Sequence, residues 1–172
     1  MEAPAHASDG SPASQPLRVG LDAFGTDHRP RELEAAQRRF GRVALAPEHP
    51  LLERLHSQLG EFFAGRRREL DLPLDLAGTA FELEVWHELV RIPYGETRSY
   101  EDVALAIGQP GAQRAVGLAN GRNPVAIVVP CHRVINKNGK LGGFGGGLAR
   151  KRFLLALEQR HSGLFDPRFL GG

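Results

Sequence analysis

The stretch Val125-Ala126-Ile127-Val128-Val129-Pro130-Cys131-His132-Arg133-Val134 constrains this chain more than any other, because it sets a solid apolar run against the only cysteine of the sequence. A run of mostly β-branched residues, bounded by Asn123-Pro124 before it and Asn136-Lys137-Asn138-Gly139 after it, reads as a short buried strand. Pro130 has no N–H to offer a neighbouring strand, so the strand stops there. Cys131 then comes at the strand's exit, where a side chain can face a cleft. A lone cysteine is often no more than a small buried hydrophobe. Here His132 follows at once, Arg133 adds positive charge that favours a thiolate, and Asn123 lies eight residues upstream. Those neighbours make Cys131 the first candidate for chemistry.

Around this stretch the chain is mostly helical. Leu17 to Phe24 has room for one short strand, and Pro30 to Phe40 has helical character. Pro47 to Ala64 spaces Leu51, Leu52, Leu55, Leu59, Phe62 and Phe63 along one helical face, and Gly65 closes it. Arg66 to Arg68 reads as a solvated turn, and Glu69 to Leu76 as a strand or extended connector ending at Gly78. Thr79 and Glu82 form a T-x-x-E capping box ahead of Phe81, Val85, Trp86, Leu89 and Val90, a helix whose spacing puts Trp86 in the core. Ile92 to Gly95 is a turn in which Tyr94 is structural.

Ser99 caps a short helix from Tyr100 to Ile107 that Gly108 stops, and Pro110 begins a second that runs to about Asn120. Two short helices across a glycine turn are a helix-turn-helix pattern. The second helix has little bulk on one side, with Arg114 projecting among Gly111, Ala112, Ala115, Gly117 and Ala119, and small residues let a helix approach a groove closely. Asn138 to Gly147 holds six glycines in ten residues, a loop shaped by backbone. Leu148 to Arg160 is the last helix, with Phe153, Leu154, Leu157 and His161 on one face and Glu158 a turn before its end.

The predicted fold is α/β (α+β): a flexible tail at 1–16, a small N-terminal subdomain with an abbreviated sheet at 17–78, a mainly helical domain at 79–161 carrying the helix-turn-helix and the cysteine strand, and a tail at 162–172. One cysteine excludes an intramolecular disulfide and a zinc site built from several cysteines, and no metal is expected. No apolar segment approaches the length of a transmembrane helix, and the first residues lack the basic and apolar regions of a signal peptide. A cytoplasmic, reducing setting suits a free thiol.

The net charge of +2 hides an asymmetry: residues 1–78 hold 10 Arg against 12 Asp and Glu, whereas residues 79–172 hold 12 Lys and Arg against 8. From Gln109 to Arg152 come Arg114, Arg122, Arg133, Lys137, Lys140, Arg150, Lys151 and Arg152 with no acidic residue between them. So one-sided a run around a candidate nucleophile suits a polyanionic partner.

The run NPVAIVVPCHRVI resembles the active-site motif of the O6-alkylguanine-DNA alkyltransferases, and the resemblance extends from about Gly78 to about Glu158. It implies direct-reversal DNA repair, in which Cys131 takes an alkyl group from O6-alkylguanine (also O4-alkylthymine) in double-stranded DNA after base flipping, once per molecule and without a cofactor. Catalysis would fall to Cys131, with His132 as base, Glu158 as the acceptor that orients it, and Asn123 bracing the turn. Tyr100 matches the tyrosine that bonds the flipped guanine and Arg114 the arginine that fills the vacated stack. Val134 would line the pocket, while the carbonyls of Cys131 and Val134 read the exocyclic amine. Phe144 stands where the family has a tyrosine, and Gly145 where several members have serine or alanine, so the aromatic wall and the amide remain and a hydroxyl is lost. Ala112, Gln113, Ala115, Gly117, Arg122 and Arg133 would face DNA through the minor groove, with the protein a monomer and no membrane involved.

Two other classes compete. A lesion-binding module of the same fold would mark damage without repairing it, but such relatives replace the cysteine. A cysteine hydrolase would need a nucleophile elbow or a second, distant catalytic histidine, and neither is present.

Overall fold

The computed structural model describes residues 49–163 of the chain. The expected strand at Leu17 to Phe24, the helix at Pro30 to Phe40, the tail at 1–16 and the chain beyond Gly163 therefore lie outside the described residues. The order is α1 (Pro50–Phe63), α2 (Ala80–Val90), β1 (Arg98–Ser99), α3 (Tyr100–Ala106), α4 (Gln113–Gly121), a 3-10 turn (Cys131–Arg133), β2 (Val134–Ile135) and α5 (Leu148–Ser162). Glu69 to Leu76 is an extended connector rather than a regular strand.

Local chemistry accounts for the helix starts. Thr79 accepts the Glu82 N–H and Glu82 returns a carboxylate to the Thr79 N–H, the reciprocal arrangement expected of T-x-x-E. Ser99 and Asp102 repeat it at the start of α3. The second helix of the pair begins at Gln113, later than Pro110, because Gly111 takes φ 87° and the chain must leave that left-handed conformation before a right-handed helix can form.

Helices α2, α3 and α4 pack on one another around Trp86, Val85, Leu89, Val103, Ala104, Val116 and Ala119, all buried. The Trp86 indole N–H donates to the Ala119 carbonyl at 2.9 Å, tying α2 to the end of α4. This core also contains Val129, Cys131 and Val134, so the cysteine turn is seated on the helix-turn-helix. β1 and β2 pair in parallel, Arg98 with Val134 and Ser99 with Ile135, which brings the start of α3 beside the residues that follow the cysteine. A second cluster of Phe62, Ile127, Leu154 and Leu157 joins α1 and α5 to the back of that turn.

The apolar run before Cys131 is not a strand. Ile127 adopts φ 76°, the Val129 N–H donates to the Val125 carbonyl at 2.9 Å, and Ala126 bridges Val129, so the run folds back as a tight turn. Its apolarity does correspond to burial, since Val125, Ile127 and Val129 are all in the core. What reverses the chain is Asn123, whose side chain accepts the Val125 N–H at 3.0 Å and donates to the Val129 carbonyl at 2.7 Å. Those two bonds offset a left-handed β-branched residue that is otherwise disfavoured. Helix α5 also turns differently from expectation: Lys151, Leu154, Leu155, Leu157 and Glu158 are buried, while Phe153 is 56% exposed and meets the ring of Phe63 at 6.4 Å.

Candidate active site

The 3-10 turn directs Cys131, His132 and Arg133 inward, none of them more than 7% exposed. The site is therefore made inside the protein, against α5. Glu158, fully buried on that helix, accepts a bond from His132 Nε2 at 2.8 Å and a fork from Arg133, with Nε at 2.9 Å from Oε2 and the terminal nitrogen at 2.9 Å from Oε1. It also accepts the Gly95 N–H at 3.0 Å. A side chain at Gly95 would collide with Ser162, so the turn after Tyr94 can approach α5 this closely only as glycine. Burial alone pushes the Glu158 carboxyl up, but the hydrogen bonds from His132 and Arg133, together with the Arg133 charge, outweigh it and hold the group at about 2.

A carboxylate on Nε2 fixes the neutral imidazole with its proton on that nitrogen and leaves Nδ1 as an acceptor. Burial pushes His132 down and keeps the ring neutral in spite of Glu158. His132 Nδ1 is buried without a partner among the described residues, so Cys131 and His132 do not bond directly through their side chains. Burial likewise pushes the Cys131 thiol up; the Asn123 amide and the Lys151 ammonium each pull it back.

Tyr100, Gln113, Arg114, Gly117, Phe144 and Gly145 line one cleft of about 760 Å³, so four of the positions expected to form a base pocket, Tyr100, Arg114, Phe144 and Gly145, come together, while the buried Cys131 is not itself part of the cleft's lining. Gly142 is part of that cleft wall, and a Cβ there would lie 2.5 Å from the Tyr100 hydroxyl, so the glycine loop packs on the tyrosine by having no side chain. On α4, Gln113, Arg114 and Ala115 are exposed, and Ala112 and Gly117 are partly buried.

Three expected roles need correction. Val134 does not line the cleft: its side chain is fully buried in the core. Arg133 is not on a DNA-facing surface, because Glu158 grips it and its Nη1 donates to the Ile92 carbonyl at 2.6 Å. Its charge is spent on that carboxylate and does little for the thiol. The basic run is not exposed as a whole, since Arg133 and Lys151 are buried, and at the surface Arg122 pairs with Glu82 and Lys137 with Glu101.

Lys151 lies beside the cysteine turn although its sequence context does not single it out, since there it is one more cation in a basic run. It is fully buried, donates to the Val134 carbonyl at 2.6 Å and to the Gly142 and Gly143 carbonyls at 3.4 Å, and lies 5.8 Å from the centre of the Tyr100 ring. Burial lowers it to about 8, while the nearby Cys131 acts in the opposite direction. One signal in the sequence does point to it: Lys151 stands two helical turns before Glu158, on the face shared with Leu154 and Leu155.

Comparison with known proteins agrees with this geometry. Residues 80–160 match the family model described as 6-O-methylguanine DNA methyltransferase, DNA binding domain. A methylated-DNA–protein-cysteine methyltransferase of Mycolicibacterium paratuberculosis is 66% identical over 105 residues, 61% of this chain and 64% of the relative, so the match spans just under two thirds of that relative's length. A crystal structure of Mycobacterium tuberculosis OGT in complex with DNA is 59% identical with a TM-score of 0.63, covering 63% of this chain and 68% of that one. An inducible methylated-DNA–protein-cysteine methyltransferase of Bacillus subtilis is 45% identical over 149 residues, 86% of this chain and 83% of the relative. With a cysteine turn, a buried histidine and carboxylate, and a relative matched over most of its length, this chain belongs to the methylated-DNA–protein-cysteine methyltransferase family.

Proposed function

We propose that the chain repairs DNA by direct reversal, moving an alkyl group from O6-alkylguanine in double-stranded DNA onto Cys131 in one irreversible step. The observation that carries this reading is the unpartnered, buried Nδ1 of His132 beside Cys131, held as an acceptor by the Glu158 carboxylate on the other side of the ring. A water seated on Nδ1 takes the thiol proton and passes one of its own to Nδ1, and the thiolate sulfur attacks the alkyl carbon. The C–O bond breaks with its electron pair on the departing guanine, which recovers a proton, with Tyr100 favouring that protonation. The product is a thioether. No group beside it can hydrolyse that bond, so each molecule acts once.

Lys151 supports the same step by placing positive charge near the sulfur, and Asn123 does so through its amide. DNA binds through the exposed side of α4, where Gln113, Arg114 and Ala115 enter the minor groove and Arg114 fills the space left by the extruded base. Residues 79–161 carry this activity, and the protein works as a monomer in the cytoplasm. Among the described residues no helix is long and apolar enough to cross a membrane.

Mass spectrometry after incubation with a duplex containing O6-methylguanine tests the reading. One added methyl group on Cys131, at a stoichiometry of one, is the expected result. Cys131→Ser should abolish that gain while still binding the duplex. Repeated turnover, or binding by the unaltered protein with no mass change, would overturn the proposal.

A further inference from the structure

The turn from Ile92 to Gly95 lies outside the cysteine motif and outside the cleft, yet it makes three contacts with the charged groups around Glu158. The Ile92 carbonyl accepts from Arg133 Nη1 at 2.6 Å, and the Gly95 N–H donates to Glu158 Oε2 at 3.0 Å. Between these two residues, the Tyr94 ring has the Arg133 guanidinium carbon over it, 5.7 Å from the ring centre. Gly95, at φ 81°, lets the chain close the turn, with the Glu96 N–H donating to the Pro93 carbonyl at 3.1 Å. The ring is itself held by α1, where it meets Phe62 edge-on with centres 5.7 Å apart and planes at 84°.

The ring and the hydroxyl of Tyr94 have separable parts in this arrangement. Tyr94 Oη is buried with no partner among the described residues. Burial, and after it the Glu158 carboxylate, push the phenol up, so it stays neutral. A hydroxyl that bonds nothing orients nothing, and burying it unpaired is a cost. The ring is different: a guanidinium over an aromatic face within about 6 Å is attracted to it, most strongly where water is excluded. Arg133 is only 7% exposed.

Glu158 divides its two oxygens among these partners. Oε1 accepts from His132 Nε2 and from the terminal nitrogen of Arg133, and Oε2 accepts from Arg133 Nε and from Gly95. A guanidinium that swings away therefore turns the carboxylate off His132. With Nδ1 unpartnered among the described residues, the bond at Nε2 is what decides which ring nitrogen carries the proton. We infer that Tyr94 is a positioning residue for alkyl transfer: its ring holds Arg133 on Glu158 and, through that carboxylate, keeps His132 Nδ1 free to accept a proton. The inference rests on the alkyl-transfer reading of the site.

Two measurements on the full chain test it together: the nitrogen-15 NMR shifts of the His132 ring, assigned by comparison with His132→Gln, and single-turnover methyl transfer to Cys131 from a duplex containing O6-methylguanine. Tyr94→Leu removes the aromatic face, and Tyr94→Met, whose flexible chain fills the same space, serves if leucine disturbs folding. In either variant the folded protein should show His132 as a mixture of tautomers and transfer about tenfold more slowly. Tyr94→Phe keeps the ring and should recover both the single tautomer and most of the lost rate. A slower rate with the tautomer unchanged, as a purely structural role predicts, would overturn the assignment. So would an unchanged rate in the leucine or methionine variant, or a phenylalanine variant as slow as the leucine one. An unaltered protein that transfers no methyl group would overturn the alkyl-transfer reading itself, whereas the NMR comparison would still show whether Tyr94 sets the His132 tautomer.

Discussion

Arg114 and Arg133 come from one stretch of sequence with no acidic residue in it, yet the fold sends them to opposite places. Arg114 stands exposed on α4 at the mouth of the cleft. Arg133, nineteen positions later, is buried with its guanidinium forked onto Glu158. Lys151 follows Arg133 inward, and its ammonium is bound to backbone carbonyls. The outer surface of α4 is thus available to a partner, while the ring around Glu158 belongs to the interior. A cation at the surface costs little and can be exchanged freely for its charge. A cation in the interior is coupled to everything that pairs with it, so removing the pair's other half leaves a charge with nowhere to go.

The largest effect that separates the two regions should come from Glu158→Gln. It leaves Arg133 buried without a counter-charge, and a loss of about 3–5 kcal/mol is expected. Chemical denaturation would measure it, together with a slower transfer rate in the folded fraction, because His132 loses its orienting carboxylate. A loss below about 1 kcal/mol, as for an exposed pair, would erase the distinction between interior and surface cations.

Acid offers a finer probe of the same ring. Glu158 is held at about 2 in the fold against an ordinary 4.5, so its folded pKa is depressed. Its contribution is fully present above the ordinary value and is lost as pH falls through the window from 4.5 towards 2. That amounts to about 3 kcal/mol at most. Urea midpoints collected down this window should fall more steeply for the unaltered protein than for Glu158→Gln; parallel curves would assign the acid sensitivity to other carboxyls.

The outer surface should respond least in stability and most selectively in rate. Arg114→Ala is expected to change stability by no more than about 0.5 kcal/mol. Its transfer rate should drop far more on a duplex than on free O6-methylguanine, which needs no extrusion and leaves no gap to fill. Arg114→Lys should recover binding better than rate, because an ammonium restores charge without a planar group that can stack. Equal losses on duplex and free base would make Arg114 an ordinary phosphate contact.

Features written within a few residues of each other are legible in the amino-acid sequence. The capping boxes at Thr79 and Ser99 depend on partners three positions away, and the apolar spacing around Trp86 is local too. The grouping of Cys131, His132 and Glu158 is reachable only through a motif, since nothing in helical spacing tells a buried carboxylate from a surface one. The turn before Cys131 is not legible, because extended and folded apolar runs look alike in sequence. Only the Asn123 fork, bonding both ends of the run, decides between them. Arg133 and Lys151 escape for a related reason: charge predicts exposure until a specific acceptor removes the need for water, and those acceptors lie 25 and 17 positions away.

The seating of Cys131 within the apolar core carries a further consequence for the life of each molecule. The sulfur packs among Val129, Val134 and the buried helices behind them. A methyl group bonded to it enlarges a buried side chain, and overfilling a well-packed interior typically destabilises it by about 1–3 kcal/mol. A spent molecule would then unfold several times more often than a fresh one. A cell that removes proteins according to how often they open could tell used copies from unused ones without any receptor for the modification itself.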